Sequence, residues 1–179
     1  FTTITKADQD AAYLALRRGV LDYEKRQAYR GPEGYMDIPA DKGEAEASIE
    51  SELAEHPDSD GIVAAVVLTA APKSVRALLA SGEEITIQDA GLSLAASALT
   101  DKTPANRRIR RGAIIRVMQE GNGWAIIQLP EVESAFVSAS AEDGAIRALI
   151  GGFDFNRNKF IQIVGKDEFK FAALIFKFN

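Results

Sequence analysis

Apolar residues recur along this chain at two periods. From Gln9 to about Tyr29, Ala12, Leu16, Val20 and Tyr23 return at helical spacing, with Leu14, Leu21 and Ala28 broadening the face. That spacing predicts an amphipathic helix packed on a sheet. Thr5 or Asp8 is placed to cap it, and Arg30-Gly31-Pro32-Glu33-Gly34 ends it. Ahead of it, the β-branched and aromatic run Phe1 to Thr5 reads as a short strand. Lys42 to His56 carries only a thin stripe, Ile49 and Leu53, among Glu44, Glu46, Glu50, Glu52 and Glu55. It predicts a second helix whose carboxylates form a solvated face.

After the turn Asp58-Ser59-Asp60-Gly61 the pattern becomes that of strands, expected at 62–70, 74–80, 84–88, 112–119 and 124–129. Gly61 to Leu68 is the strongest of them. Short strands joined by turns, with an irregular passage between the third and fourth, predict a small closed or partly open barrel, of which the five-stranded OB-fold is the obvious member. Trp124 is expected to pack within its hairpin. Pro130 then punctuates, and Ala135–Ala139 and Ala145–Ile150 flank Glu142-Asp143-Gly144, a hairpin signal because Asp-Gly supplies positive φ. A further hairpin with alternating aromatics is expected to turn at Gly165-Lys166-Asp167.

Charge and composition narrow the chemistry. With 26 acidic residues against 21 Lys and Arg, the net charge is −5. Such a chain is poorly suited to nucleic acid, where phosphate neutralisation supplies most of the affinity. Without cysteine there is no disulfide, thiolate zinc site or cysteine nucleophile. His56 is the single histidine, so no multi-histidine metal site can form; a surface or helix-end role is expected, and no cofactor. Gly151-Gly152 lacks any phosphate-loop pattern around it and reads as a strand end. No apolar run reaches the roughly 18–20 residues of a membrane span. The chain opens on Phe1 without a signal peptide, so it is expected to be an internal piece of a longer protein. Its one basic cluster is Arg107, Arg108, Arg110 and Arg111, followed by Arg116. The cluster reads as a solvated loop entering a strand, or as a contact for an acidic protein or glycan partner through bidentate hydrogen bonds.

The run from Gly112 to Phe155 carries a more specific signal. Leu129-Pro130-Glu131-Val132-Glu133, Asp143-Gly144-Ala145-Ile146-Arg147-Ala148-Leu149 and Gly151-Gly152-Phe153-Asp154-Phe155 stand in order, and together they resemble class A penicillin-binding proteins of the 1A kind. Phe1-Thr2-Thr3-Ile4, the following helix and Tyr29-Arg30-Gly31-Pro32-Glu33 also resemble the segment by which such enzymes leave the glycosyltransferase region. The resemblance covers about 1–160, and 161–179 departs from it.

The resemblance implies a mainly β fold with flanking helices (α+β), with a five-stranded OB-like barrel inserted into the start of a transpeptidase domain. Its divisions would be 1–36, an interdomain strand and helix; 37–130, the OB-like domain; 131–160, the first hairpin of the transpeptidase; and 161–179, a divergent tail. The family's S-x-x-K, S-x-N and K-T-G motifs are absent, Lys102-Thr103 being followed by Pro104. This piece is therefore expected to be non-catalytic. Its parent would be a bifunctional peptidoglycan glycosyltransferase and serine-type D-Ala-D-Ala transpeptidase, binding peptidoglycan precursors and β-lactams. The parent would be anchored by a single span on the periplasmic side of the bacterial inner membrane. The OB-like part implies regulatory docking, to an outer-membrane lipoprotein activator or another cell-wall synthesis protein, with Arg107, Arg108, Arg110 and Arg111 as candidate contacts. The alternative is a free-standing OB-type module for oligosaccharide or single-stranded nucleic acid.

Overall fold

The computed structural model describes residues 3–132 and 134–154, together with the backbone of Ala172–Ala173. The chain divides into two compact units. One combines the first 26 residues with those from Pro130 onward, and the other is the continuous segment 27–129.

In the first unit, helix α1 (Lys6–Glu24) begins at Thr5, whose side chain accepts from the Asp8 amide at 3.2 Å. Ala12, Leu16 and Val20 form its buried stripe, and the helix stops at Glu24, short of the expected Tyr29. The expectation overran because Tyr29 belongs to the core of the other unit. Thr3 and Thr5 do not form the expected strand. The Thr3 hydroxyl donates to the Ile146 carbonyl at 2.6 Å and the Thr5 amide to that of Arg147 at 3.3 Å. The hairpin expected around Asp143-Gly144 is present, as Ser134–Ala139 paired with Ile146–Ile150. Its turn places Gly144 at φ 72°, and the Asp143 side chain accepts from the Ala145 amide at 3.0 Å.

Two contacts fasten α1 to this hairpin and to the residues that follow it. The Gln9 carboxamide donates to the Leu149 carbonyl and accepts from the Leu149 amide, both at 2.9 Å. Arg17, buried, donates to the Phe153 carbonyl at 3.1 Å and lies over the Phe153 ring at 4.1 Å. The backbone of Ala172–Ala173 pairs in parallel with Ser134–Ala135. The hairpin expected at 165–167 lies outside the described residues.

The second unit is built on one antiparallel sheet. In chain order its strands are β1 (Gly34–Tyr35), β2 (Ile62–Ala71), β3 (Ser74–Leu79), β4 (Glu84–Gln88), β5 (Ala113–Glu120) and β6 (Gly123–Ile127). Helix α2 (Lys42–Ala54), capped by Asp41, lies between β1 and β2. Spatial order is β1-β5-β2-β3-β4, with β6 pairing the far end of β5. Strand β2 reads as a continuous apolar run because both its faces are covered. Ala65 and Val67 face a core with Val75, Ala77, Ile85, Ile87, Ile115 and Val117. Ala64 and Val66 face Ile49 and Leu53 of α2. Asp60 and Gly61 lead into β2 with φ of 43° and 85°, the pairing of positive angles that a two-residue hairpin turn requires.

The strand positions match expectation, but the sheet does not close into a barrel: among the described residues β4 and β6 form no ladder. The chain leaves β4 through Asp89, at φ 48°, into a 3-10 helix, Asp89–Leu92. Its Gly91 lies against the Trp124 and Ala125 backbone of β6, so this turn stands where a β4–β6 ladder would have to close the sheet. A second 3-10 helix, Ala96–Leu99, adds Ala98 and Leu99 to the same core, and Trp124 packs on it partly buried. A Cβ on Gly91 would fall 2.2 Å from the Trp124 carbonyl oxygen. Gly91→Ala is therefore expected to destabilise the chain by about 1–3 kcal/mol through overpacking, read as a lower denaturant midpoint; an unchanged midpoint would show that the turn can retreat freely.

Candidate functional site

The four arginines of the sequence cluster do not act as one group. Arg108 is half-buried and turned back on its own loop. It donates to the Thr103 carbonyl through Nε (3.2 Å) and Nη2 (2.9 Å), reaches the Asp101 carbonyl, and lies 3.4 Å from the Asp101 carboxylate. Arg107, Arg110 and Arg111 are exposed. Among the described residues no carboxylate pairs with any of the three. Arg111 donates to the Leu68 carbonyl at 3.3 Å, where the β2–β3 register shifts between Val67 and Thr69. Arg110 stacks over the Tyr35 ring, its guanidinium carbon 4.4 Å from the centroid.

Tyr35 carries no distinguishing mark in the sequence, yet it organises this loop. Its hydroxyl shares a proton between the carbonyls of Arg108 (2.8 Å) and Ala105 (3.0 Å). Burial pushes the phenol up, with Arg110 and Arg108 pulling it back. Tyr35 is held in turn by β1, which pairs Gly34 with Ile114 and Tyr35 with Ala113. The next contact admits only glycine: a Cβ on Gly112 would sit 2.1 Å from the Met36 carbonyl oxygen.

Behind this surface lies a polar centre that sequence reasoning missed. Arg116, in β5, is 4% exposed. Its Nε and Nη2 donate to the two carboxylate oxygens of Glu33, each at 2.9 Å. Its Nη1 donates to the carbonyls of Pro57 (2.9 Å) and His56 (3.3 Å). His56, at the end of α2 as expected, places Nδ1 2.7 Å from Glu33 and Nε2 3.9 Å from Glu52. Burial pushes the Glu33 carboxyl up, but the hydrogen bonds and charge of Arg116, joined by those of His56, outweigh it and hold it below the usual carboxylate range. The only available signal was a charge inside the otherwise apolar run Ala113 to Met118 of β5, on the face shared with Ile114. Its partner lies 83 residues away.

No group of His, Cys, Asp and Glu suited to a metal ion occurs among the described residues, and no helix there is long and apolar enough to cross a membrane. What the geometry offers is a fixed basic and aromatic surface.

Residues 29–132 match the family model described as the penicillin-binding protein OB-like domain. Among curated proteins, the chain is 38% identical over 161 residues to penicillin-binding protein 1A of Neisseria lactamica, covering 89% of this chain and 20% of that one. It is 36% identical over 166 residues to penicillin-binding protein 1A of Escherichia coli K12, with the same coverage. Among solved structures, the crystal structure of penicillin-binding protein 1A from Haemophilus influenzae superposes with a TM-score of 0.70 at 30% identity, covering 90% of this chain and 23% of that one. The chain thus spans about a fifth of the length of the curated relatives it matches.

The lowered Glu33 carboxyl sets a pH dependence. A group whose folded value is depressed contributes stability fully above its unfolded value and loses it as pH falls through the folded one. The wild-type chain should therefore lose stability as pH drops below the ordinary glutamate range of about 4.3. Glu33→Gln should cost about 1–3 kcal/mol at neutral pH, as it leaves Arg116 incompletely paired. It should also flatten that acid limb, measured by urea unfolding across pH. Parallel wild-type and variant curves would contradict the assignment.

Proposed function

This chain belongs to the penicillin-binding protein OB-like domain family, and on that footing we propose that it is the non-catalytic OB-like portion, with flanking segments, of a bifunctional cell-wall synthase. The parent would polymerise glycan strands and cross-link their peptides on the periplasmic side of the inner membrane, to which a single span anchors it. Residues 1–26 and 130–154 would be the approach to, and first hairpin of, its transpeptidase domain. The second unit would be an accessory body interrupting that domain and serving as the dock for a regulatory protein, an outer-membrane lipoprotein activator or another cell-wall synthesis protein. It would do no chemistry itself.

The observation that carries this reading is how the second unit begins and ends. The buried Gln128 accepts from the Arg30 amide at 3.0 Å and donates to the Ala28 carbonyl at 3.4 Å, and Arg30 reaches the Leu129 carbonyl. Entry and exit therefore lie side by side, the condition under which a domain can be inserted into another without disturbing it. The similarity to 1A-type proteins also runs on through the first unit, covering 89% of the chain. That continuity favours a piece of such a protein over a free-standing binding module.

Excision tests the proposal. In the parent protein, replacing 27–129 by a short glycine linker should abolish binding of the regulatory partner while leaving covalent labelling by a fluorescent penicillin in place. Partner binding undiminished by the excision would refute the docking role.

A further inference from the structure

The proposed docking role leaves open which surface is used and what chemistry it recognises. We infer that Arg110, seated on Tyr35, together with its exposed neighbours in the chain Arg107 and Arg111, forms a recognition site for a carboxylate-rich peptide segment of a partner protein. This deepens the docking reading and rests on it.

Three observations carry the inference. First, these guanidinium groups have no carboxylate partner among the described residues, although the chain as a whole is acidic, at −5. Acidic side chains are plentiful, and several basic groups elsewhere on the second unit pair with them, although Lys73 and Lys102 have no such partner among the described residues. Arg76 pairs with Glu84, Arg116 with Glu33, and Lys42 with Glu46 at 3.7 Å. Second, the surface is held in place before any partner arrives. Tyr35 fixes the Ala105 and Arg108 carbonyls, Arg108 folds inward to brace the loop, and Arg110 rests on the Tyr35 ring. Stacking restrains a side chain that otherwise loses much rotamer freedom on binding. Third, the Arg110 guanidinium donates no hydrogen bond among the described residues. A carboxylate matches its fork of N–H donors with two parallel hydrogen bonds.

The acidic character of the chain decides among anionic partners. A nucleic acid or an anionic bilayer presents a continuous array of charge and is held by a broad positive field. Here the positive charge is local, on a chain whose net charge is −5. At a Debye length of about 8–10 Å, a peptide that lies along the loop responds chiefly to these arginines, whereas a ligand that extends far beyond it meets the net negative charge of the rest of the chain.

The test uses the whole chain and a deca-glutamate peptide as probe, with affinity followed by calorimetry at low ionic strength. Wild-type chain is expected to bind, and to weaken as salt is raised. Arg110→Glu, and Arg107→Glu with Arg111→Glu, should each weaken binding at least tenfold with unchanged thermal unfolding. Arg18→Glu, an equal charge change at an exposed position of α1, should have little effect. Absence of wild-type binding would overturn the inference. So would an equal loss from Arg18→Glu, or binding of single-stranded DNA or phosphatidylglycerol vesicles as tight as that of the peptide. The excision experiment on the parent reads the docking role independently. If excision removes the partner while the arginine variants retain it, this surface is refuted and the docking role stands.

Discussion

A guanidinium buried in the middle of a strand holds the second unit in its form. Removing a charge of this size from water costs several kcal/mol, and only close pairing with further hydrogen bonds can offset that. Arg116 obtains both, from the Glu33 carboxylate and from the carbonyls of His56 and Pro57. These partners belong to separate segments, the passage before β1 and the exit from α2. A requirement local to one side chain thereby joins three parts of the chain. Its consequences run outward. Glu33, whose amide also donates to the Ile114 carbonyl at 2.8 Å, sets β1 against β5. Strand β1 positions Tyr35, and Tyr35 shapes the loop on which Arg110 is displayed.

The rest of the second unit follows from covering both faces of one sheet. Helix α2 contributes little beyond Ile49 and Leu53, and these complete the outer face of β2. The inner face is completed by residues from two 3-10 helices, including Leu92, Ala98 and Leu99. A closed barrel would satisfy its edges with a β4–β6 ladder. This sheet instead sets Gly91 against β6, a contact that depends on the absence of a side chain. OB-like describes it well, and closed barrel does not.

Much of this was legible in the sequence because strands and hairpins are local. The apolar runs of β2 to β6, the Asp-Gly turns and the Thr5 cap all act within a few residues. The features that escaped are non-local or depend on direction. Arg108 and Arg110 are two apart and look equivalent, but one turns into its loop and the other out over a tyrosine more than seventy residues earlier. Tyr23 and Ala28 carried the expected helix on to about Tyr29, but α1 stops at Glu24 and Tyr29 belongs to the other unit's core. Glu33 read as a turn residue because its partner lies on a strand far along the chain.

The central claim, that the Arg116–Glu33 pair positions β1 and through it the arginine loop, is tested most directly by amide hydrogen exchange in Glu33→Gln against the wild-type chain. Faster exchange, on the order of tenfold, is predicted together at Met36, whose amide donates to the Gly112 carbonyl, and through 104–110, while β2, β3 and β4 keep their protection. Exchange unchanged at Met36 and in the loop would contradict the account and leave the pair as an isolated buried contact.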